Sequence, residues 1–118
     1  MKKLKFKPRM TFTADLKRLA KLDNTIIDEV RAAIDLLLET HSLPEEFRDH
    51  ALTRRWAGYR EFHLRDTLTG QQPADHNDVL VVYAIDEDAL ILIGLRVGSH
   101  DRLFSEQDSS VKFHRPQQ

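Results

Sequence analysis

The hydrophobic residues change their spacing halfway along this chain, and that change limits the possible folds more than any other feature. Between Ile26 and Leu38, apolar residues recur at helical spacing over about three turns, with charged residues on the opposite face. The later segments Tyr59–Leu64, Val79–Ile85 and Ala89–Val97 are alternating or continuously apolar, which is typical of strands. A helical first half and a stranded second half predict an α+β domain.

Weaker signals supply the remaining elements. Lys3–Lys7 alternates charged and apolar residues as a half-buried strand does, and Pro8 is expected to end it. A first helix then follows, with Thr11 or Thr13 as its N-cap. The link at residues 23–25 is short, so the two helices form an antiparallel hairpin.

The order of elements is therefore β-α-α-β-β-β. We expect the N-terminal strand and the helical hairpin to pack on one face of a twisted antiparallel sheet, which leaves the other face available for a ligand. The 118 residues form one domain. We place this domain at residues 1–104 and interpret residues 105–118 as a polar C-terminal extension without fixed structure.

Composition excludes several classes of protein. Because there is no cysteine, disulfide frameworks, cysteine nucleophiles and thiolate metal sites are ruled out. No apolar run approaches the roughly 18 residues needed to span a bilayer, and the basic N-terminus lacks the apolar core of a secretory signal. The sequence predicts a cytoplasmic protein with no membrane partner. Its net charge of −1 also argues against an indiscriminate nucleic-acid binder.

Three histidines, His50, His63 and His100, each have an arginine within four residues. Imidazole exchanges protons near neutral pH, and the planar guanidinium of arginine suits phosphate. The repeated pairing suggests a site that handles a phosphodiester. The other three histidines lie at a helix end, in a polar loop and in the tail, and we interpret them as surface residues.

The expected meander brings two of these histidines together. His63 is near the end of the first meander strand, Asp78 is at the start of the second, and His100 follows the end of the third. A hairpin sets the end of one strand beside the start of the next, so these three residues should meet. Nothing local fixes the position of His50.

Such a group has the parts for RNA cleavage without a metal. Two imidazoles in different surroundings can divide the roles of acid and base, and arginines can stabilise the charged phosphate. Phe104 could stack on an unpaired base. A metal site built from His50, His63, Asp78 and His100 is the weaker alternative, because no ligand pair has helical i, i+4 spacing. The sequence also lacks a glycine-rich phosphate loop, so we expect no metal and no cofactor.

Six short segments follow one another along the chain: Leu43–Pro44, Phe47–Leu52, Trp56–His63, Asp78–Tyr83, Gly98–His100 and Leu103–Phe104. Taken in order, they resemble the YafQ branch of the RelE-type toxins, which belong to bacterial type II toxin–antitoxin modules. The resemblance spans roughly residues 3 to 104 and is specific as an ordered set.

The resemblance implies a ribosome-dependent mRNA endonuclease that is neutralised by a cognate antitoxin. It also implies contact with operator DNA only indirectly, through that antitoxin. The residues that match the acid–base set of the family are His50, His63, Asp78 and His100, with Phe104 as the active-site aromatic residue. Arg96 matches a phosphate-stabilising arginine, and we add Arg60 as a substrate-binding residue.

Within this set, we assign His100 as the general acid. The base is His50 or His63, with Asp78 orienting one of them. The loop from Asp66 to Asn77 looks longer than the connection usual in the family, so Asp66 or Asp75 could take the role of Asp78. Two other functions remain open: a gyrase-inhibiting toxin of the related ParE type, and an inert toxin relative that acts as a binding partner.

Overall fold

Five strands, three α-helices and two short 3₁₀ helices (Glu45–Phe47 and Arg54–Trp56) follow one another in residues 2–104, the part of the chain that the computed structural model describes. The chain segments are β1 (Lys5–Pro8), α1 (Met10–Leu22), α2 (Thr25–Thr40), β2 (His50–Ala51), β3 (Arg60–Arg65), β4 (Val79–Asp86), β5 (Ile91–Gly98) and α3 (His100–Phe104). The predicted α+β class is confirmed, and β2 is an additional short strand. The proposed extension at residues 105–118 lies outside the described residues.

The strands form one sheet in the order β1-β5-β4-β3-β2. The pairs β3–β4 and β4–β5 are antiparallel, as the predicted meander requires. At the edge, however, β1 runs parallel to β5, with Lys5 opposite Ile91 and Pro8 opposite Gly94. The expectation that the N-terminal strand packs on one face of an antiparallel sheet was therefore wrong: β1 belongs to the sheet as an edge strand and runs parallel to its neighbour, because the alternation within a strand encodes neither its position nor its direction. Pro8 is the last residue of β1. Its missing N–H is tolerated there because β1 is an edge strand.

Helix α1 covers the part of β5 that β1 does not reach. Arg9 is the N-cap residue of α1, so the prediction of a threonine cap was wrong. The Thr11 hydroxyl instead donates to the carbonyl of Leu95 at 2.6 Å, and the Asp15 carboxylate accepts from the amide of Val97 at 2.9 Å. These bonds satisfy backbone groups that an open sheet edge would expose.

The two faces of the sheet carry different packing. The face under α1 and α2 holds the larger core, in which Phe12, Leu19 and Leu37 are fully buried against the strands. The opposite face holds a smaller cluster that includes Trp56, Tyr59 and Leu103. Because the cluster covers only part of that face, the face predicted to be free for a ligand is partly open.

Loops close the far end of the sheet. The turn between β4 and β5 is longer than the expected tight turn, since β5 begins only at Ile91 and Leu90 adopts a left-handed backbone with φ of 56°. His41 ends α2 in a left-handed conformation, and its ring contacts Glu87 and the carbonyl of Lys2. His41 therefore connects the end of α2 with the N-terminal segment and the β4–β5 turn, and it is more than the surface residue that we expected. Within residues 2–104, the longest helices are too short or too polar to cross a membrane.

Candidate active site

The pairing of β2 with β3 brings three titratable side chains to the face opposite the helical hairpin. His50 lies opposite Glu61, and His63 follows Glu61 by two residues on the same face of β3. The ring centroids of His50 and His63 are 6.1 Å apart. The position of His50, which no local pattern fixed, is thus set by a two-residue strand.

The meander adds His100 to this group. His63 pairs with Leu80 on β4, and Leu80 pairs with Gly98 on β5, so α3 begins beside His63. The rings of His63 and His100 are 5.3 Å apart between centroids. The predicted approach of His63, Asp78 and His100 is therefore found.

Asp78 is bound to His100 rather than to either candidate base. Its carboxylate accepts from the backbone amide of His100 at 2.9 Å and from Nδ1 of the same ring at 2.9 Å. Asp78 is buried, whereas the side chain of His100 is 47% exposed. With Nδ1–H directed at the carboxylate, Nε2 remains for another partner.

Glu61 is a member of the site that our sequence reasoning missed. Its Oε1 atom lies 3.0 Å from His50 Nε2 and 3.4 Å from His63 Nε2, and the residue is buried. His50 Nδ1 faces the carbonyl of Arg48 at 3.0 Å. Both nitrogens of His50 therefore meet acceptors, and one proton can be shared between His50 and Glu61. The alternation Glu61-Phe62-His63 within a predicted strand was the available signal.

Arg48 was also missed as a member of the site. Its guanidinium lies 3.2 Å from His63 Nδ1 and forms an ion pair with Asp66. The same Nδ1 atom lies 3.3 Å from Oδ1 of Asp66, so it meets both a donor and an acceptor, while Nε2 faces Glu61. The side chain of Arg48 is 56% exposed, which leaves its remaining donors open to a ligand.

The three carboxylates of the loop before β4 hold different partners. Asp66 contacts Arg48 and His63, Asp78 contacts His100, and Asp75 binds a third set of groups beside α3. Burial opposes ionisation of Asp75, but donors from arginine and serine outweigh it and lower the pKa of Asp75. Asp66, rather than Asp78, therefore lies beside a candidate base, with its Oδ1 atom 3.3 Å from Nδ1 of His63, whereas Asp78 lies beside His100.

The two arginines predicted to bind substrate are engaged elsewhere. Arg60 alternates with Glu61 on β3 and donates from Nε to Asp49 at 3.0 Å. Arg96 is buried and donates from Nε to Asp15 at 2.6 Å. Both guanidinium groups thus have acidic partners on the helix side or edge of the sheet, apart from the histidine rings.

Phe104 borders an open cleft next to the histidines. Its ring packs edge-on against Trp56 with centroids 5.3 Å apart, and it lies 6.3 Å from the ring of His100. The cleft has a volume of about 270 Å³ and is lined by Leu52, Thr53, Trp56, Glu61, His100 and Phe104. A flat aromatic group could enter between the acid–base residues and the apolar wall.

Three residues of the site could also hold a metal ion. The ligand atoms of His50, Glu61 and His63 all lie within 4.8 Å of one another. Two imidazoles and one carboxylate form a set that suits zinc or copper. This triad differs from the set considered from sequence, because Glu61 takes the place of Asp78 and His100.

Both the sequence and the fold of the chain are similar to those of known proteins. The family model of the YafQ toxin of bacterial type II toxin–antitoxin systems matches residues 4–105. The chain belongs to the YafQ family. The match includes every residue of the candidate site, so the family predicted from the ordered motifs is confirmed.

Individual relatives agree with the family assignment. A putative toxin YafQ of Haemophilus influenzae is 38% identical over 69 residues, which is 57% of this chain and 68% of that protein. YafQ in the DinJ–YafQ complex of E. coli is 25% identical, with a TM-score of 0.65 over 86% of this chain and 99% of that one. A copper-bound mutant toxin of Helicobacter pylori is 33% identical, with a TM-score of 0.62 over the same shares.

Proposed function

We propose that this type II toxin is a ribosome-dependent mRNA endonuclease that cleaves by acid–base chemistry at the ribose 2′-OH and the adjacent phosphate. The observation that carries the proposal is the row of three imidazoles with two buried carboxylates beside it. His50, His63 and His100 follow one another at centroid distances of 6.1 and 5.3 Å. Glu61 contacts both His50 and His63, and Asp78 lies at the His100 end of this row.

His100 acts as the general acid. Asp78 fixes Nδ1–H and stabilises the charged ring, so Nε2–H can be given to the leaving oxygen. In the reaction, the 2′-oxygen forms a bond to phosphorus while the bond from phosphorus to the 5′-oxygen breaks. The proton of His100 then ends on that 5′-oxygen.

The base is the coupled pair of Glu61 and His50. The pair acts as base in the form in which Glu61 is a carboxylate and His50 carries a proton only on Nδ1, which faces the carbonyl of Arg48. The proton taken from the 2′-OH is then shared across the 3.0 Å contact between His50 and Glu61. His50 is the more accessible of the two candidate histidines, with 52% of its side chain exposed compared with 8% for His63. We therefore assign His63 to the centre of the site, where it supports Glu61 and the charge of the phosphate.

Arg48 is the cation that we propose for phosphate neutralisation. It already contacts His63 and is half-exposed, and a guanidinium can bind two phosphate oxygens at once. Arg60 and Arg96 stay predictions as substrate-binding residues, and both guanidinium groups bind aspartates away from the histidine rings. The cleavage rates of Arg48→Ala, Arg60→Ala and Arg96→Ala, measured side by side, test which arginine binds the phosphate. We expect the largest loss of rate in Arg48→Ala.

Phe104 supplies a stacking surface for a base beside the scissile phosphate. Stacking on an aromatic ring contributes about 1–3 kcal/mol per base and tolerates every base. The cleft beside Phe104 has Trp56 as its wall and opens next to His100. This arrangement supports single-stranded RNA rather than a duplex as the substrate.

We further propose that a cognate antitoxin neutralises the toxin, as the DinJ–YafQ pairing of the E. coli relative suggests. Contact with operator DNA would come only through that antitoxin. Because ribosomes and messages are the substrates, the reaction takes place in the cytoplasm. No metal takes part in the proposed chemistry, and an ion on the His50, Glu61 and His63 triad would compete with proton transfer.

One expression experiment tests the proposal. The chain is induced alone and then together with the neighbouring open reading frame, and the 5′ ends of cellular mRNA are mapped. Growth arrest with codon-phased cuts that the neighbour relieves supports the endonuclease. Arrest with DNA-damage signalling and intact mRNA would instead support gyrase inhibition, and no arrest would support an inert relative. His100→Ala and His63→Ala should abolish the cuts; unchanged toxicity of both variants would refute the site.

A further inference from the structure

The loop between β3 and β4 folds into a defined structure against the body of the protein. Asn77 braces it from within: its Oδ1 accepts from the amide of Ala74 at 2.8 Å and from the hydroxyl of Thr67 at 3.0 Å. Arg65 donates to the carbonyl of His76 at 2.7 Å and binds α2 through Glu29. The residues between Asn77 and Thr67 are thus held at both ends, and Asp75 lies within this braced segment.

Asp75 joins three elements around α3. Its Oδ2 atom accepts from Nη1 of Arg18 on α1 and from Nη2 of Arg102 on α3, both at 3.2 Å. Its Oδ1 atom accepts from the hydroxyl of Ser99 at 3.1 Å, just before α3. The loop, the first helix and the last helix therefore share one carboxylate.

The contact with Ser99 reaches the first turn of α3 directly. The Ser99 hydroxyl accepts from the amide of Arg102 at 3.2 Å, and the Ser99 carbonyl accepts from the amide of Leu103 at 3.0 Å. Ser99 is buried. Because a helix of five residues has little stability of its own, contacts of this kind decide whether it forms.

Charge alternates along the same path. Arg96 binds Asp15, Asp15 lies 4.0 Å from Arg18, and Asp75 then separates Arg18 from Arg102. Without the Asp75 carboxylate, Arg102 would lose this partner and Arg18 would keep only the more distant Asp15, so the repulsion between the two guanidinium groups would be less compensated. The side chain of Asp75 is 29% exposed, so solvent screens only part of this effect.

We propose that Asp75 is a positioning residue, which clamps α3 so that His100 and Phe104 face the other histidines. Asp75 itself touches none of the three histidine rings in any described contact. It acts through Ser99 and Arg102, while Asp78 acts on the His100 ring directly. The inference rests on the proposed function for its catalytic part, and on the fold alone for its effect on α3.

Hydrogen exchange of the purified full-length chain tests the structural part. In Asp75→Ala, we expect the amides of Arg102 and Leu103 to exchange about fivefold faster, because their acceptor Ser99 loses its anchor. The amide of His100 should change less, since Asp78 still holds it. Asp88→Ala, an exposed change in the turn at the other end of β4, is the matched control and should leave all three amides as in the parent.

Cleavage kinetics test the catalytic part. On programmed ribosomes, Asp75→Ala should lower kcat about tenfold and also raise KM, because α3 carries both the acid His100 and the stacking residue Phe104. Asp75→Asn keeps an oxygen acceptor for Ser99 but lacks the charge, so it should restore part of the rate. A normal kcat, or a loss confined to KM, would overturn the proposal, and so would parent-like exchange of α3 in Asp75→Ala. If the parent itself does not cleave, the proposed endonuclease fails, and the exchange result alone decides whether Asp75 clamps α3.

Discussion

Replacement of Asp78 by asparagine isolates the charge that stabilises the proposed acid. In the parent, Asp78 accepts from both the amide and Nδ1 of His100 at 2.9 Å. Asparagine has nearly the same shape, and its oxygen can still accept from the amide of His100. The start of α3 should therefore persist, while the charge-assisted bond to the ring is lost.

The size of the effect follows from that bond. A hydrogen bond to a charged partner contributes about 1.5–3 kcal/mol. The ring of His100 is half-exposed, so we take the lower part of this range, about 1.5–2 kcal/mol. At 1.36 kcal/mol per factor of ten, the cleavage rate of Asp78→Asn should fall by about 10- to 30-fold. Removal of the acid itself in His100→Ala should cost about 10²- to 10⁴-fold.

Single-turnover cleavage of a message on programmed ribosomes measures these factors. Asp101→Asn is the matched control, because it removes one exposed negative charge from the residue next to His100. We expect Asp101→Asn to cleave within about twofold of the parent, as is usual for an exposed surface charge. Thermal unfolding of each variant shows whether the fold is retained.

The double variant decides whether Asp78 acts through His100. If it does, Asp78→Asn combined with His100→Ala should be no slower than His100→Ala alone. Multiplication of the two separate losses would refute the reasoning, because Asp78 would then have a role that is independent of the ring. A rate equal to that of the parent in Asp78→Asn would refute it equally.

Three further predictions concern packing, acid stability and metal binding. Gly94→Ala should destabilise the fold by about 1–3 kcal/mol in urea unfolding, since its Cβ would lie 2.9 Å from the Phe12 ring. Hydrogen bonds from Thr25 and Arg65 lower the pKa of Asp23 from 3.8 to about 2, so its contribution to stability is complete above pH 4 and is lost towards pH 2. In Asp23→Asn, the urea concentration at the midpoint of unfolding should therefore fall less between pH 4 and pH 2 than it does in the parent. An equal fall in the two proteins would contradict this prediction. Copper should inhibit cleavage reversibly, and Glu61→Gln should weaken copper binding about tenfold or more in calorimetry; equal affinity would exclude Glu61 as a ligand.

The approach of His63, Asp78 and His100 could be predicted from sequence because it depends only on the order of antiparallel strands. Once Val79–Asp86 and Ile91–Gly98 are strands of one meander, the loop before the first and the turn after the second lie at the same end of the sheet. The helical hairpin could be predicted equally well, because the helical spacing of its apolar residues is a purely local pattern. The parallel pairing of β1 with β5 could not be predicted, because it depends on which edge of the sheet the helical hairpin leaves open.

The partners of the site residues could not be predicted in the same way. A strand pattern shows that Glu61 and His63 share a face, but the contact with His50 depends on a strand of only two residues. Arg48 reaches His63 from a left-handed backbone with φ of 49°, a conformation without a clear signal in the sequence. Arg96 was assigned to substrate from the resemblance and Arg60 was added to it, but Asp15, which is buried, and Asp49, which is partly buried, bind these guanidinium groups.

Because the site and the larger core lie on different faces of the sheet, substitutions in the site should cost the fold little stability. The larger core lies between the helical hairpin and the sheet, whereas His50, Glu61 and His100 lie on the other face. Both carboxylates of the site are buried and each is paired with a histidine, so replacing one partner leaves the other unsatisfied at a cost of about 1–3 kcal/mol. Loss of His50 should therefore cost less stability than loss of Glu61, since His50 is half-exposed and Glu61 keeps His63 within reach. We accordingly expect histidine variants of this site to fold, and their activity to report on chemistry rather than on unfolding.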